Sequence, residues 1–151
     1  MSQKIILHRG NTNGPNPELE NHPEQIQHCI DLNYDVEIDL RLIDERLWLG
    51  HDEPQYEITS GWIHMRSNYL WIHCKNVEAL CYLQQHPWSE DLNYFWHQDD
   101  SYTVTSKNFI WAYPGKFVPK PLKSVCVMPE LVERQENLSE YYAICSDYMK
   151  L

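Results

Sequence analysis

Eight short apolar runs, most of which end in a polar or titratable side chain, constrain how this 151-residue chain folds. Runs of four to eight residues that are bounded by turn signals are typical of buried strands. Helical patterns begin at Pro23 and cover residues 77–85 and 130–137, so helices separate some of the runs. Strands that alternate with helices predict an α/β fold with a parallel sheet. The runs are residues 4–8, 35–41, 47–50, 69–72, 94–97, 109–112, 124–128 and 142–145.

Eight strands with helices between them make a TIM (β/α)8 barrel, which normally takes about 200 residues or more. Several links here, such as residues 98–108, are too short for a crossover helix. We therefore expect a single domain spanning residues 1–151, folded as a small, pared-down TIM (β/α)8-like barrel with several helices shortened or missing. Thin helical cover would expose aromatic side chains, which either a homodimer or long loops would cover. These side chains are Trp48, Trp71, Trp96 and Trp111.

Composition excludes several classes of partner. The chain has 22 acidic and 12 basic residues and a formal charge of −10, which disfavours nucleic acid and anionic membrane surfaces. No apolar run approaches the roughly 18 residues of a membrane span, and the first run is too short for a signal peptide. The five cysteines are widely spaced with no C-x-x-C, which predicts free thiols and a cytoplasmic protein.

The second run carries two carboxylates on one side of a strand. Side chains at positions i and i+2 of a strand point the same way, so Glu37 and Asp39 face together. Two neighbouring carboxylates on an apolar strand repel each other and need a cation between them. Hard oxygen ligands of this kind bind Mg²⁺ or Ca²⁺. The alternative is an edge strand whose polar side chains simply face solvent.

The flanking runs deliver further titratable groups. Residues 5–7 end in His8-Arg9, and residues 47–50 end in His51-Asp52. In a parallel α/β barrel the carboxyl ends of the strands form the face on which active sites are built. The three runs together therefore predict a site at that face.

Four segments resemble the glycerophosphodiester phosphodiesterase family, within the phospholipase-C-like phosphodiesterases. They are His8-Arg9-Gly10, Glu20-Asn21, Glu37-Ile38-Asp39-Leu40-Arg41 and His51-Asp52-Glu53-Pro54. Their order and spacing match over roughly the first third of the chain, and the resemblance is weaker beyond residue 54.

The resemblance implies a metal-dependent phosphodiesterase that hydrolyses a small glycerophosphodiester-type substrate. By resemblance, Glu37 and Asp39 hold the divalent metal, and His8 and His51 are the general acid–base pair. Arg9 binds the phosphate with its planar fork of donors. Either water or a hydroxyl of the substrate could be the nucleophile, and the sequence leaves both open.

The chain departs from the family at the fourth run, where the family has an acidic metal ligand and this chain has His73. If His73 binds the metal, the preference shifts towards Mn²⁺ or Zn²⁺; otherwise the metal site is weakened. Lys75 shares a strand face with His73 and is a candidate phosphate contact. By resemblance, Glu20 either joins the metal site or orients Arg9.

His97 and Tyr113 follow later runs and are candidates for substrate binding at the same face. Two interpretations of different class remain. The first is the metal-dependent phosphodiesterase, and the second is a catalytically degraded barrel that binds a phosphorylated ligand or a partner protein without turnover. Retention of both histidines and both carboxylates favours the enzyme, because a binding module needs no acid–base pair.

Overall fold

A computed structural model describes residues 3–133 and 137–151, and over these residues the chain forms ten strands and three α-helices. The strands are β1 (Lys4–His8), β2 (Asp35–Ile43), β3 (Arg46–Leu49), β4 (Tyr56–Ile58), β5 (Leu70–Cys74), β6 (Asn93–Trp96), β7 (Tyr102–Val104), β8 (Ile110–Ala112), β9 (Ser124–Val127) and β10 (Ala143–Ser146). The α-helices are α1 (Pro23–Asp31), α2 (Ser60–Met65) and α3 (Val77–Gln85).

All ten strands belong to one curled, mixed sheet. Seven of them are parallel, in the spatial order β6, β5, β2, β1, β10, β9, β8. Strand β3 pairs antiparallel with the far half of β2, β4 pairs antiparallel with β3, and β7 pairs antiparallel with β8. The sheet curls so far that the Ser106 amide donates a hydrogen bond of 2.7 Å to the Tyr94 carbonyl, beside β6.

The expectation of an alternating TIM-like barrel is wrong. The described residues form a curled mixed sheet with three α-helices, and three of its strands run antiparallel to their neighbours. The physical reason is the length of the links, since connections as short as Asp44-Glu45 between β2 and β3 permit only a hairpin. A helix was also expected at residues 130–137. Residues 134–136 lie outside the described part of the chain, and at the start of this segment Pro129–Leu131 forms a 3₁₀ turn.

Side-chain alternation divides the sheet into two faces. One face carries Val36, Ile38 and Leu40, which pack in a single buried cluster with residues of α1 and α3 such as Ile26 and Leu83. Because strand side chains alternate, the carboxylates of β2 point to the other face. The helices therefore pack on one face of the sheet, and Glu37 and Asp39 lie on the other face.

Two of the four tryptophans expected on the outside are buried instead. Trp71 and Trp111 are each 4% exposed and share a second core cluster with Phe95. Their ring centroids are 5.9 Å apart, so they fill the face of the sheet opposite the helices. This placement removes both residues from the argument for a homodimer.

Helix ends follow the local sequence. Pro23 occupies the first turn of α1, and the His22 side chain accepts a hydrogen bond from the Glu24 amide. The Asn76 side chain caps α3 by accepting from the Ala79 amide, and it also bonds the Leu42 backbone. Asn76 thus links α3 to the end of β2, the strand that carries Glu37 and Asp39. Within the described residues, no helix has the length and apolar character that crossing a bilayer requires.

Candidate metal centre and active site

A cavity of about 610 Å³ opens where the parallel strands end. Strands β1, β2 and β5 and the segment directly after β6 supply polar or titratable side chains to it. The residues that the sequence predicted for the site and that line this cavity are His8, Arg9, Glu37, Asp39, His51, His73, Lys75, His97 and Tyr113. The structure therefore brings together every predicted site residue except Glu20.

Glu37, Asp39 and His73 form a compact group of potential metal ligands, with one ligand atom of each within 4.8 Å of the others. Strand register creates it, because Asp39 on β2 pairs directly with His73 on β5 and Glu37 precedes Asp39 by two. Both carboxylates are almost fully buried, at 2% and 1% exposure. Two buried carboxylates are costly without a nearby positive charge.

The tautomer of His73 is set by its second nitrogen. Nε2 lies 2.9 Å from the backbone carbonyl of His97, and because a carbonyl only accepts, Nε2 carries the proton. Nδ1 then faces the two carboxylates, 3.4 Å from Asp39 Oδ1 and 3.8 Å from Glu37 Oε2. The ring is held in place by stacking on Phe95 at 5.1 Å. Two carboxylates and a ring nitrogen that face one another need a positive charge among them, which either a proton on Nδ1 or a bound metal ion supplies.

Asp39 offers a free oxygen to that cation. Its Oδ2 accepts a hydrogen bond of 2.9 Å from the Asn21 side chain, whose own oxygen accepts from the Asp39 amide. Its Oδ1 is buried with no hydrogen-bond partner among the described residues. Burial opposes ionisation, but His73, Arg9 and Asn21 outweigh it and lower the pKa of Asp39. Asp39 is therefore a carboxylate with one unused oxygen, and the donor set fits a divalent ion.

The pKa of Glu37 is shifted in the opposite direction. Burial, followed by the charge of Asp39, raises the pKa of Glu37 from 4.5 to about 7. Its Oε1 accepts a hydrogen bond of 3.2 Å from the Arg9 amide and lies 3.9 Å from His8 Nε2. In the absence of metal, Asp39 is therefore the more readily ionised of the two carboxylates, and Glu37 keeps its proton until the pH approaches about 7.

The raised pKa of Glu37 predicts how the free energy of unfolding depends on pH when metal is removed. A carboxyl group whose pKa is higher in the folded state contributes stability at low pH, and that contribution is lost as the pH rises from 4.5 through about 7. A shift of this size corresponds to about 3 kcal/mol. We expect the free energy of unfolding in EDTA to fall from pH 5 to pH 8, and to fall less in the Glu37→Gln variant. Urea titrations at both pH values measure this difference, and equal slopes in the two proteins would contradict it.

Arg9 is positioned by the loop that follows β1. Its Nη1 donates a hydrogen bond of 3.1 Å to Glu20 Oε1, and its Nε lies 3.5 Å from Asp39 Oδ2. Its backbone has φ of 56°, and its carbonyl accepts from the amide of Asn21 at 2.9 Å. Glu20 contacts Arg9 and so has the orienting role considered for it. It is not part of the potential metal-ligand group of Glu37, Asp39 and His73.

His8 is paired with a residue from the other end of the chain. Its Nδ1 lies 2.8 Å from Asp147 Oδ1, and because a carboxylate only accepts, Nδ1 donates the proton. The lone pair of the neutral ring is then on Nε2, beside Glu37. Burial opposes protonation, but Asp147 and Glu37 outweigh it and raise the pKa of His8 above 6.5. This is the arrangement of a general base oriented by a carboxylate.

Asp147 is itself held by several bonds. Asn11 donates to its Oδ1 at 2.8 Å, and Glu130 Oε2 accepts from its backbone amide at 3.0 Å. The pairing with His8 lowers the pKa of Asp147 against the effect of burial, so that it stays ionised. Sequence analysis did not single out this partnership. The available signal was Asp147 itself, two residues after the last apolar run.

His51 reaches the cavity from the loop after β3. Its Nδ1 lies 2.8 Å from Asp52 Oδ1, so Nε2 carries the free lone pair, and burial lowers the pKa of His51 below 6.5. The preceding Gly50 has φ of 156°, and a Cβ there would lie 1.9 Å from the Glu53 carbonyl oxygen. Only glycine fits this turn. Arg41 anchors the turn by donating from Nε to the Gly50 carbonyl at 3.0 Å.

No family model, curated protein or solved structure matches this chain. The case for a function therefore depends on the chemistry of the cavity.

Proposed function

We propose that this protein is a metal-dependent phosphodiesterase that hydrolyses a small phosphodiester of the glycerophosphodiester type. One observation carries the proposal: the lone pair of His8 Nε2 lies 3.9 Å from Glu37, a member of the three-residue metal-ligand group. A protein that only bound a phosphorylated ligand would have no use for a carboxylate-oriented base beside a metal site. The resemblance of the first third of the chain supports the same reaction.

Glu37, Asp39 and His73 would hold the divalent ion, which supplies positive charge to the non-bridging oxygens of the phosphate. The protein adds its own cations, because Arg9 and Lys75 line the same cavity. These cations matter since the chain as a whole carries −10 and would otherwise repel the substrate. Arg9 is preorganised for this role by Glu20.

Proton transfer is assigned to the two histidines. His8, oriented by Asp147, takes the proton from the attacking hydroxyl, which belongs either to water or to the substrate. His51 lines the same cavity and gives a proton to the departing alkoxide. The pKa of His8 is raised above 6.5 and that of His51 is lowered below it, so only a fraction of the protein has His8 neutral and His51 protonated at once, which is the pair of states that this reaction needs.

The imidazole ligand predicts which ion supports activity best. Carboxylates alone favour Mg²⁺ or Ca²⁺, whereas an imidazole in the set favours Mn²⁺ or Zn²⁺. We expect EDTA to abolish hydrolysis of glycerophosphodiesters and Mn²⁺ or Zn²⁺ to restore it best. The His73→Asp variant, which gives the site a third carboxylate, should shift the preference towards Mg²⁺ or Ca²⁺.

The measurement is release of the alcohol from a panel of glycerophosphodiesters, with each ion added after chelation. Activity that survives EDTA in the wild-type protein would rule out a metal-dependent reaction. Metal binding without turnover on any member of the panel would instead support the second interpretation, a protein that binds a phosphorylated ligand.

A further inference from the structure

The cavity has two chemically different walls. The polar wall comes from β1, β2, β5 and the loop after β3. It contains the proposed metal ligands and the proposed acid–base pair, His8 and His51. The other part of the lining comes from the ends of β6, β8 and β9 and the residues that follow them, and apart from His97, Gln98 and Asp99 it is apolar. Its main members are Trp96, Trp111, Tyr113, Pro114, Met128 and Leu131.

The base of the apolar wall is rigid. Trp111 is held between Phe95, with ring centroids 4.6 Å apart, and Trp71. Such aromatic packing fixes the ring, of which only a small part is exposed at the cavity, since Trp111 is 4% exposed. The wall is therefore preformed rather than created by movement of side chains.

Met128 is placed on this wall by an unusual backbone. Its φ of 50° is in the left-handed region, which a residue with a long side chain rarely adopts. The conformation is held because the Met128 amide donates a hydrogen bond of 2.7 Å to the Cys145 carbonyl and Pro129 follows. Methionine is flexible and polarisable, and it adapts well to apolar ligands.

The rim of the apolar wall is exposed to solvent. Leu131 is 65% exposed and Tyr113 is 48% exposed, and both line the cavity. Exposed apolar side chains that continue a concave apolar surface mark a binding site. A glycerol phosphodiester would use the polar wall and leave this surface wet.

We propose that the substrate carries, beside its phosphate, an apolar alkyl or aryl substituent that packs against this wall. The proposal rests on the proposed function, because the polar wall must hold the phosphate. A cavity of about 610 Å³ is large enough for both parts, since pockets of about 300–1,000 Å³ bury whole drug-sized ligands.

The test compares three diesters of glycerol 3-phosphate that differ only in the second alcohol, namely methanol, octanol and benzyl alcohol. With Mn²⁺ present, we expect kcat/KM for the octyl or benzyl ester to exceed that for the methyl ester by at least about tenfold. The better of the two distinguishes an alkyl from an aryl substituent. Equal values for all three would overturn the proposal while leaving the phosphodiesterase intact.

Two variants test the wall itself. Tyr113→Ser and Leu131→Ser change side chains that are 48% and 65% exposed, so both should fold. Each should reduce the ratio of octyl or benzyl to methyl kcat/KM by at least about threefold. Leu122→Ser, which changes an apolar side chain that is 77% exposed and does not line the cavity, should leave the ratio unchanged. An unchanged ratio in both wall variants would overturn the assignment.

Binding is measured in parallel, so that the wall is tested even without turnover. Octyl phosphate and methyl phosphate are titrated against the Mn²⁺-loaded protein by calorimetry. Tighter binding of octyl phosphate, lost in the wall variants, would support the apolar site even if no diester were hydrolysed. No turnover combined with equal binding would count against both proposals.

Discussion

Replacing His8 with alanine is expected to lower kcat by roughly 10²–10⁴ while the protein still folds. The change removes the only imidazole that is both oriented by Asp147, at 2.8 Å, and adjacent to Glu37 among the described residues. The lost side chain is partly exposed at the cavity, so the fold should tolerate the change. Steady-state rates at saturating Mn²⁺ and circular dichroism of the same samples measure the two effects.

His64→Ala is the matched control, because His64 is exposed on α2 and does not line the cavity. It should keep the wild-type kcat. His51→Ala should lose activity to a similar degree, and Asp147→Asn should lose less, since the imidazole remains. If both His8→Ala and His51→Ala retained activity, the assignment of general acid and base would be wrong.

Side-chain direction within a strand could be predicted from the sequence. It depends only on spacing along the chain, so the shared face of Glu37 and Asp39 followed from their separation of two. His73 was a candidate ligand because of the resemblance, which has an acidic metal ligand at that position. The structure pairs Asp39 with His73 in register. Spacing along the chain thus predicted the pair of carboxylates, and the resemblance supplied His73.

Contacts between distant parts of the chain could not be predicted in the same way. His8 and Asp147 are 139 residues apart, and their hydrogen bond depends on β1 lying next to β10. The support that Asn21 gives to Asp39 depends on a loop whose shape no periodicity encodes. These two partnerships determine which nitrogen of His8 is free and which oxygen of Asp39 is free.

The prediction of the strand topology was wrong for a related reason. The count of apolar runs suggested eight alternating units, but a count does not specify direction. Strand β7 (Tyr102–Val104) has only three residues and no apolar run, so the sequence pattern missed it. Its antiparallel pairing with β8 replaces the crossover helix that a regular barrel needs.

Replacing Asp39 with asparagine is expected to weaken binding of Mn²⁺ by at least about 100-fold and to lower activity in parallel. The amide is nearly the same size, and its oxygen can still accept the hydrogen bond from Asn21 that Asp39 Oδ2 accepts at 2.9 Å. Its NH₂ group would then take the place of the unpartnered Oδ1 and donate to His73 Nδ1, which lies 3.4 Å away. This new hydrogen bond would occupy the lone pair that the metal requires.

Asp35→Asn is the matched control for this change. Asp35 is on the same strand and is also buried, but its contacts are Lys4 at 3.3 Å and the Trp71 indole at 2.9 Å. Calorimetric titration with Mn²⁺ should therefore give wild-type affinity for Asp35→Asn and strongly reduced affinity for Asp39→Asn. The stabilisation by metal provides a second measurement, since an ion at about 100 times its Kd adds about 2.7 kcal/mol to the free energy of unfolding. That increment should disappear only in Asp39→Asn, and if both variants kept it, the ion would bind elsewhere.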